Sequence, residues 1–463
     1  MDQDTGALLD QAAGVARAYL RSLPTRHVGA VADGASVADR LRTALPEAGE
    51  QPNAVLGRLA ESVERGLVAS AGPRYFGFVI GGVLPVALAA DWLTAGWAQN
   101  AAMHALSPAA AAAEQVAGEW MLDLLGLPGS ASFGLPTGAG LANAVGLAAA
   151  RHALLARTGW DVESRGLYGA PEIAVVVGDE AHATLLTALQ YLGLGRERVT
   201  RVPTDGQGRI RREELHAAVR GLAGRPLLVA AQAGNVNTGA IDPLDAVADV
   251  VAGHPNAWMH VDGAFGLWAA AVPHLRPLLE GVERADSWST DAHKWLNVGY
   301  DCGFVAVRDR DAHRAAMAVS APYLREGMGN RESWEYVLDS SRRARGFALY
   351  AVLRSLGRAG VRDLVERCCL HAQRMAKRLS AEPGVAVLND VVLNQVLVRF
   401  GDDDERTRQV IDRVQADGVA WMGGTSWHGV TAMRISVSNW STTTEDIDQS
   451  ADAVLRAFRA QRR

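Results

Sequence analysis

The alternation of apolar and polar positions divides this chain into helices and short β-rich runs. Over roughly the first 70 residues the apolar positions recur at helical spacing between Pro and Gly breaks, as in VLGRLAESVERGL. From about Ser107 onward, helical patterns alternate with short β-rich runs, several of them apolar throughout: EIAVVVG, PLLVAAQ, AWMHVDG, DSWST and FVAVR. Strands that are covered on both faces have this composition. The alternation therefore predicts an α/β domain with a mostly parallel sheet.

Helix signals and a second group of strand-like runs complete the predicted organisation. Ser107 and Pro108 are a cap and a first position for SPAAAAAEQVAGEWMLDLLG, and LANAVGLAAARHALLA is a second helix. After about Arg345 a helical stretch leads to VAVLND, NQVLVRF and AMRISVS, which indicate a smaller α+β domain. We therefore predict a helical arm over residues 1–70, a large domain over 71–345 and a small C-terminal domain over 346–463.

Composition and charge narrow the class of protein. A chain of 463 residues, 49% of them hydrophobic, can bury a large core, and a net charge of −5 gives no basic field for nucleic acid. The polar start lacks a signal-peptide pattern, and no apolar run approaches the ~20 residues that a membrane helix needs. Cys302, Cys368 and Cys369 lack zinc spacing and suit a reducing compartment. We expect a soluble, cytoplasmic protein with no nucleic-acid or membrane partner and no metal.

Lysine usage points to amine chemistry. Among 46 Lys and Arg residues, only Lys294 and Lys377 are lysines. Arginine matches lysine as a charge, but only lysine deprotonates readily to act as a nucleophile or to form a Schiff base. Lys377 lies in an amphipathic pattern that predicts a solvated helix face. Lys294 lies among aromatic and small residues in DSWSTDAHKWLNVGYDCG and is therefore the candidate.

Three further features have a functional interpretation and an ordinary one. The Gly-rich turn of LPTGAGLANAVGLAAAR opens a helix whose first amides can bind phosphate, although its glycines can also serve only the turn. His182 stands at a helix start, where a cap or a surface position is the alternative. Asp262 ends the strand of AWMHVDG, at the edge where open α/β sheets bind ligands. A metal ligand or a helix cap is the alternative there.

One ligand accounts for these features together with the pair His293 and Lys294. The Gly-rich loop fits a phosphate, His182 fits a flat ring, Asp262 fits a protonated ring nitrogen and Lys294 fits an aldehyde. Pyridoxal 5'-phosphate has all four groups, and its protonated ring accepts electrons from a bond broken at the substrate's Cα.

The same runs resemble a known family. HVDGAFGLWAA and ADSWSTDAHKWL, with RYFGFVIGG, QNAAMHALSP and RISVSNWSTTTEDID, resemble the group II pyridoxal-phosphate-dependent amino-acid decarboxylases. That family includes the aromatic-amino-acid, histidine and glutamate decarboxylases, and the likeness runs from about Arg74 to near the C-terminus. It implies the fold-type-I architecture, with a seven-stranded, mostly parallel sheet and a small C-terminal domain. It also implies a homodimer, with the N-terminal arm packed on the second subunit.

The resemblance also implies roles for particular residues. Lys294 is similar to the Schiff-base lysine, Asp262 to the partner of the ring nitrogen, and His182 to the stacking imidazole. The remaining implied cofactor contacts are Ala264 under the ring, His293 before the lysine, and the phosphate-loop pair Gly138 and Ala139. The substrate pocket, formed partly by the neighbouring chain, would include Tyr75, Phe78, Asn100 and His104. Packing at the interface is the alternative for these four.

Two departures from the family pattern lie at Asp291 and in the segment 323–341. Asp291 stands where many relatives have an Asn that binds the phosphate, and a carboxylate there is repelled unless it turns away or is protonated. The segment 323–341 corresponds to a mobile loop bearing a catalytic Tyr, and Tyr336 is our candidate for returning a proton to Cα. The alternatives are a packing role beside Trp334 for Tyr336, and proton donation by His182 or His293.

We therefore expect a decarboxylase that converts an L-amino acid to its amine and CO2 through a Schiff base on Lys294. The rival interpretations are oxidative decarboxylation and deamination to an aldehyde, aldol cleavage or transamination on the same cofactor. A catalytically inactive binding protein that retains the fold is the rival from another class. No cluster in the first hundred residues selects an aromatic, acidic or basic substrate.

Overall fold

The computed structural model of the chain describes residues 5–318 and 331–461. The strands in these residues form two sheets, and in chain order they are β1 Ser132–Gly134, β2 Ala174–Gly178, β3 Val199–Val202, β4 Leu227–Gln232, β5 Ala257–Asp262, β6 Ser287–Asp291, β7 Gly303–Val307, β8 Val385–Val387, β9 Gln395–Phe400, β10 Gly423–Trp427 and β11 Val430–Ser436. The α-helices are α1 Thr5–Ser22, α2 Gly34–Leu41, α3 Pro52–Val63, α4 Pro85–Trp97, α5 Pro108–Leu124, α6 Ala139–Ala156, α7 Val162–Arg165, α8 Ala183–Tyr191, α9 Arg212–Arg220, α10 Leu244–Ala252, α11 Arg310–Met317, α12 Gly346–Ser380, α13 Asp404–Asp417 and α14 Thr444–Arg459.

The large sheet has seven strands in the order β1-β7-β6-β5-β4-β2-β3. The pairs from β3 through β2, β4 and β5 to β6 are parallel, whereas β7 is antiparallel to both β6 and β1. Strands β2, β4, β6 and β7 are buried along almost their whole length, as apolar runs covered by helices on both faces should be. The predicted α/β fold with a mostly parallel sheet is confirmed.

The sequence does not predict three of the strands, because their residues lack a strand signal. β1 has only three residues, and β3, with the sequence VTRV, is an edge strand whose side chains are mostly not buried. β10 has the mostly polar sequence GGTSW. Two of its five residues are glycine, which is depleted in strands. Each of the three lies at the edge of its sheet, where pairing with one neighbour defines the strand.

The C-terminal part forms the second sheet, in which β10, β11, β9 and β8 pair antiparallel in that order. Helices α12, α13 and α14 pack against it and continue the hydrophobic core of the large sheet. Helix α12 is interrupted at Gly357, where φ is +59° and the backbone leaves the helical region. This α+β arrangement is the one that the three C-terminal strand-like runs predicted.

Helix α6 is the central element of the large sheet. It packs on β5, β6 and β7, and most of its side chains are buried. Within residues 5–318 and 331–461 it is the one helix long and apolar enough to meet the length and hydropathy test for a membrane span. Its apolar surface is covered by the sheet and by α8 and α11, so its composition reflects the core.

The N-terminal helices α1, α2 and α3 contact mainly one another. Apolar side chains of this arm remain exposed, and Leu45 retains 94% of its accessible surface. Leu23 and Val28 join a small apolar cluster with Ala69 and Tyr75, which anchors the start of the arm to the rest of the chain.

Candidate active site

The site lies at the carboxyl edge of the parallel strands. Asp262 is the last residue of β5 and Asp291 is the last residue of β6. Because β5 and β6 are parallel neighbours, their last residues reach the same edge of the sheet. Lys294 follows β6 by three residues and completes this group.

Fixed hydrogen-bond donors hold the buried carboxylate of Asp262. Its Oδ2 accepts from Nδ2 of Asn143 at 3.0 Å, and its Oδ1 accepts from the backbone N–H of Ala264 at 3.2 Å. Asn143 lies on α6, so the helix that packs behind the sheet orients the carboxylate at its edge. This carboxylate is suited to pair with a protonated ring nitrogen.

A neutral histidine fixes the orientation of Asn143. Burial lowers the pKa of His260 to about 4, although Asp262 acts to raise it, so the imidazole is uncharged near neutral pH. Its Nε2 lies 2.9 Å from Oδ1 of Asn143 and its Nδ1 lies 2.8 Å from Oγ of Ser287. With Nε2–H donating to Asn143 and Nδ1 accepting from Ser287, the amide of Asn143 must turn its N–H toward Asp262.

Lys294 points its amine at Asp291, with Nζ 3.0 Å from Oδ2. The segment that carries Gly81 packs directly on the lysine backbone. A Cβ at Gly81 would lie 1.7 Å from the carbonyl oxygen of Lys294, so this approach requires glycine. The other lysine, Lys377, is exposed on α12, which agrees with the predicted solvated helix face.

His182 is the N-cap of α8, and the cap fixes its tautomer. Nδ1 accepts from the backbone N–H of Thr184 and lies 2.7 Å from its Oγ1, which leaves the proton of the neutral ring on Nε2. Burial lowers the pKa of His182, and four nearby charges also act on it. Asp262 and Asp291 raise this pKa, whereas Lys294 and Arg434 lower it. The half-buried imidazole therefore lies among the charges of the site and is neutral near pH 7.

The first backbone amide of α6 is the one for which a phosphate contact was predicted, and here it binds a carboxylate of the chain itself. Ala139 donates its backbone N–H to Oδ1 of Asp291 at 2.6 Å. Gly138, the preceding residue, is close to His293: a Cβ there would lie 3.0 Å from Cε1 of that ring. Ala264 is half-buried and accepts the backbone N–H of Asp291 at 2.9 Å. These contacts connect the start of α6 to Asp291 and His293, which precede Lys294 in the chain.

His293 is held between backbone and ring contacts. Its Nδ1 accepts from the backbone N–H of Cys302 at 3.2 Å, and its ring centroid lies 4.5 Å from that of Tyr300. Burial lowers the pKa of His293, which favours its neutral form. Nε2–H then points toward Oδ1 of Asp291 at 3.5 Å.

The four predicted substrate-pocket residues fall into two groups. Tyr75 stacks on Trp421 at 5.0 Å, and Phe78, 61% exposed, lies against the same indole; both precede Gly81, the residue packed on Lys294. Asn100 instead contacts Ser341 and the backbone of Arg342, and His104 donates its backbone N–H to Glu332. Within one chain, therefore, the first pair packs on Trp421, close in sequence to Gly81, and the second pair contacts the segment 332–342.

Tyr336 lies in packed surroundings at the edge strand β1. Its ring makes an edge contact with His313 at 5.1 Å, and the guanidinium of Arg331 lies 4.7 Å from its centroid. Its carbonyl accepts from Nε2 of His313. Trp334 is buried in the same short 3₁₀ helix. In this conformation Tyr336 therefore has a packing role. Tyr323, the start of the predicted loop, lies outside the described residues.

Two residues of the site escaped the sequence analysis. Asn143 lies among small and apolar residues of a helix that is mostly buried. A single polar side chain in such a helix is the sequence signal that could have identified it. Arg434 lies on β11, burial lowers its pKa, and it acts electrostatically on His182. Among residues 5–318 and 331–461 no carboxylate forms an ion pair with it, which marks it as a cation available to a ligand.

Comparison with known proteins agrees with this geometry. Residues 36–400 match the family model described as the pyridoxal-dependent decarboxylase conserved domain. The chain belongs to this family. The match includes the strands β5 and β6, the helix α6 and Lys294, and it makes this protein a pyridoxal-phosphate-dependent enzyme of the carboxy-lyase type.

Individual relatives resemble the chain over nearly its full length. It is 26% identical to an aromatic-L-amino-acid decarboxylase of Bacillus atrophaeus over 93% of this chain and 90% of the relative. It is also 26% identical to a 4-hydroxyphenylacetaldehyde synthase of Rhodiola rosea, with the same coverage of both chains. The crystal structure of Oryza sativa TDC with PLP and tryptamine superposes with a TM-score of 0.92 at 25% identity, covering 100% of this chain and 99% of that one.

The arrangement of residues fits pyridoxal 5'-phosphate, the family's cofactor. A lysine amine, a carboxylate held by fixed donors, a neutral imidazole and a helix-start amide lie at one sheet edge, at Lys294, Asp262, His182 and Ala139. These are the groups that an aldehyde, a ring nitrogen, a flat ring and a phosphate require. The one group at odds with the phosphate is the carboxylate of Asp291.

Proposed function

We propose that this protein converts an L-amino acid to its amine and CO2, with the cofactor carried covalently by Lys294. The observation that supports this most is the convergence of Lys294, Asp262, His182 and the amide of Ala139 at one edge of the sheet. An inactive binding protein would have no need of a buried carboxylate held by a dedicated polar network.

The protein side of the chemistry follows from these contacts. When bound, the cofactor supplies an electron sink for the pair left at Cα as CO2 departs. Asp262, held by Asn143 and Ala264, would keep the ring nitrogen protonated. His182 would lie against the ring as a neutral imidazole, and Gly138 and Ala139 would hold the phosphate at the start of α6.

We propose Arg434 as the group that orients the substrate. Its guanidinium lies within electrostatic reach of His182 and has no ion-pair partner among the described residues. A carboxylate of the amino acid is the complementary ligand, because arginine binds carboxylates through two parallel hydrogen bonds. Tyr75 and Phe78, which both pack on Trp421, would supply an apolar wall on the same side of the pocket.

We further propose that the working form is a homodimer whose second subunit completes the pocket. Apolar side chains that a monomer would leave in water line two neighbouring grooves around α4: Leu20, Leu88 and Trp92 in one, and Leu93, Trp97 and Tyr350 in the other. Trp97 retains 50% of its surface. Exposed apolar patches of this kind mark protein interfaces. A monomer in sedimentation measurements at micromolar concentration would contradict this proposal.

Product analysis tests the reaction itself. The purified enzyme with pyridoxal 5'-phosphate is incubated with each common L-amino acid, and CO2, amine, aldehyde, ammonia and oxygen uptake are measured. We expect CO2 and amine in equal amounts from at least one substrate. Aldehyde and ammonia with oxygen uptake would instead assign the oxidative reaction, the type that the name of the Rhodiola rosea relative suggests.

The position of Tyr336 leads to a prediction about proton return to Cα. We expect Tyr336→Phe to keep amine formation within about twofold, because the ring packs on His313 and Arg331 beside β1. His182→Phe retains a flat ring but lacks the Nε2 proton, and we expect amine formation to fall by roughly 10²- to 10⁴-fold. Rates and products of both variants are compared with those of the unmodified enzyme. Aldehyde formation by Tyr336→Phe, with normal amine formation by His182→Phe, would assign the proton to Tyr336.

A further inference from the structure

Asp291 places a negative charge in the pocket that the cofactor's phosphate requires. Only 2% of its surface is exposed, and its Oδ1 accepts the backbone N–H of Ala139 at 2.6 Å. That N–H is the first of α6, where the helix dipole favours an anion. The chain's own carboxylate therefore occupies the hydrogen bond that a phosphate oxygen would take.

The groups that face Asp291 offer little positive charge to balance two anions. Lys294 Nζ lies 3.0 Å from Oδ2, but this amine is consumed when the cofactor is attached. His293, at 3.5 Å, has a pKa lowered by burial and is neutral. The other titratable groups that interact with Asp291 add no permanent positive charge: Tyr300, Cys302 and His182. From α6, only backbone N–H groups reach the carboxylate.

The main chain that carries this buried side chain is fixed. The backbone of Asp291 is the end of β6, its N–H donates to Ala264, and its carbonyl accepts from the indole of Trp268 at 3.1 Å. Two like charges about 4 Å apart in a protein repel with an energy that corresponds to roughly a thousandfold in affinity. A carboxylic acid would remove this repulsion and donate a hydrogen bond to phosphate instead.

We propose that Asp291 takes up one proton from solvent as the phosphate of the cofactor binds, so that cofactor affinity falls as pH rises. The proton moves from water to a carboxyl oxygen of Asp291, which then donates to a phosphate oxygen. The inference rests on the proposed cofactor site. It makes Asp291 a determinant of how firmly this enzyme retains its cofactor in alkaline conditions.

The test compares Asp291 with its neutral isostere. The dissociation constant of pyridoxal 5'-phosphate for the apoenzyme is measured by absorbance titration between about pH 6 and pH 9, for the unmodified protein and for Asp291→Asn. We expect the unmodified protein to lose about tenfold more affinity per pH unit than the variant, since one extra proton is bound. Protonation of the cofactor is common to both proteins, but the loss of the carboxylate beside Lys294 is not. Both proteins are therefore also titrated with pyridoxal, and the difference between the two ligands isolates the proton linked to the phosphate.

A second measurement needs no variant and therefore does not depend on how Asp291→Asn folds. Calorimetric titrations of the unmodified apoenzyme in buffers of different ionisation enthalpy give the protons taken up, once with pyridoxal 5'-phosphate and once with pyridoxal. We expect about one more proton with the phosphate form at alkaline pH. Equal uptake, or parallel pH slopes with normal borohydride-stable labelling of Lys294, would overturn only this inference. Absence of cofactor binding in both proteins would overturn it together with the proposed function.

Discussion

Replacing Lys294 by alanine is expected to abolish covalent cofactor attachment and to lower turnover by at least about 10³-fold, because the chain's other lysine, Lys377, is exposed on α12. The purified variant should lack the yellow absorption of the bound cofactor. Borohydride reduction followed by peptide mass analysis should find no labelled lysine. The carboxylate of Asp291 loses its amine partner in this variant, so a thermal melt should accompany the measurement.

Lys377 provides a matched control for this experiment. It is the chain's second lysine and is exposed on α12, so Lys377→Ala removes the same functional group from a solvated surface. We expect that variant to retain colour, label and turnover. Retention of a borohydride-stable adduct in Lys294→Ala, at Lys377 or elsewhere, would contradict the assignment of Lys294.

Asp262→Asn is expected to lower turnover by roughly 10²- to 10³-fold while the cofactor remains bound, because an amide cannot hold the ring nitrogen protonated. The contacts of Lys294 and the amide of Ala139 stay in place in this variant. The side-chain amide has one oxygen for two donors, so its NH2 faces either Asn143 or the backbone N–H of Ala264, and we expect the melting temperature to fall. Rates, bound cofactor and thermal melts together check the expectation.

The variant Asn143→Ala tests whether the orientation of the Asp262 carboxylate matters apart from its charge. It leaves the carboxylate of Asp262 but removes the donor that His260 orients, so we expect a smaller loss of rate than in Asp262→Asn. Turnover of Asp262→Asn within about tenfold of the unmodified enzyme would contradict the role of the carboxylate. A larger loss in Asn143→Ala than in Asp262→Asn would assign the main effect to the polar network.

The sequence determined the features that depend on short segments of chain. Short strand-like runs, several of them apolar throughout, predicted β2, β4, β5, β6 and β7, since strands covered on both faces favour apolar side chains. The scarcity of lysine singled out Lys294 and Lys377, because arginine cannot replace a reactive amine, and the amphipathic pattern around Lys377 left Lys294 as the candidate. The ends of β5 and β6 placed Asp262 and Lys294 at one edge, because parallel neighbours share an edge.

Only the tertiary structure decided the contacts between segments distant in the chain. Asn143 and Asp262 are 119 positions apart, and nothing local marks the amide of one as the partner of the other. The direction of Asp291 toward Ala139, the nearness of Arg434 to His182 and the packing of Tyr336 on His313 are of the same kind. A side chain's partner depends on which elements pack together. Local propensity sets each element, but packing of the whole chain sets the distances between their side chains.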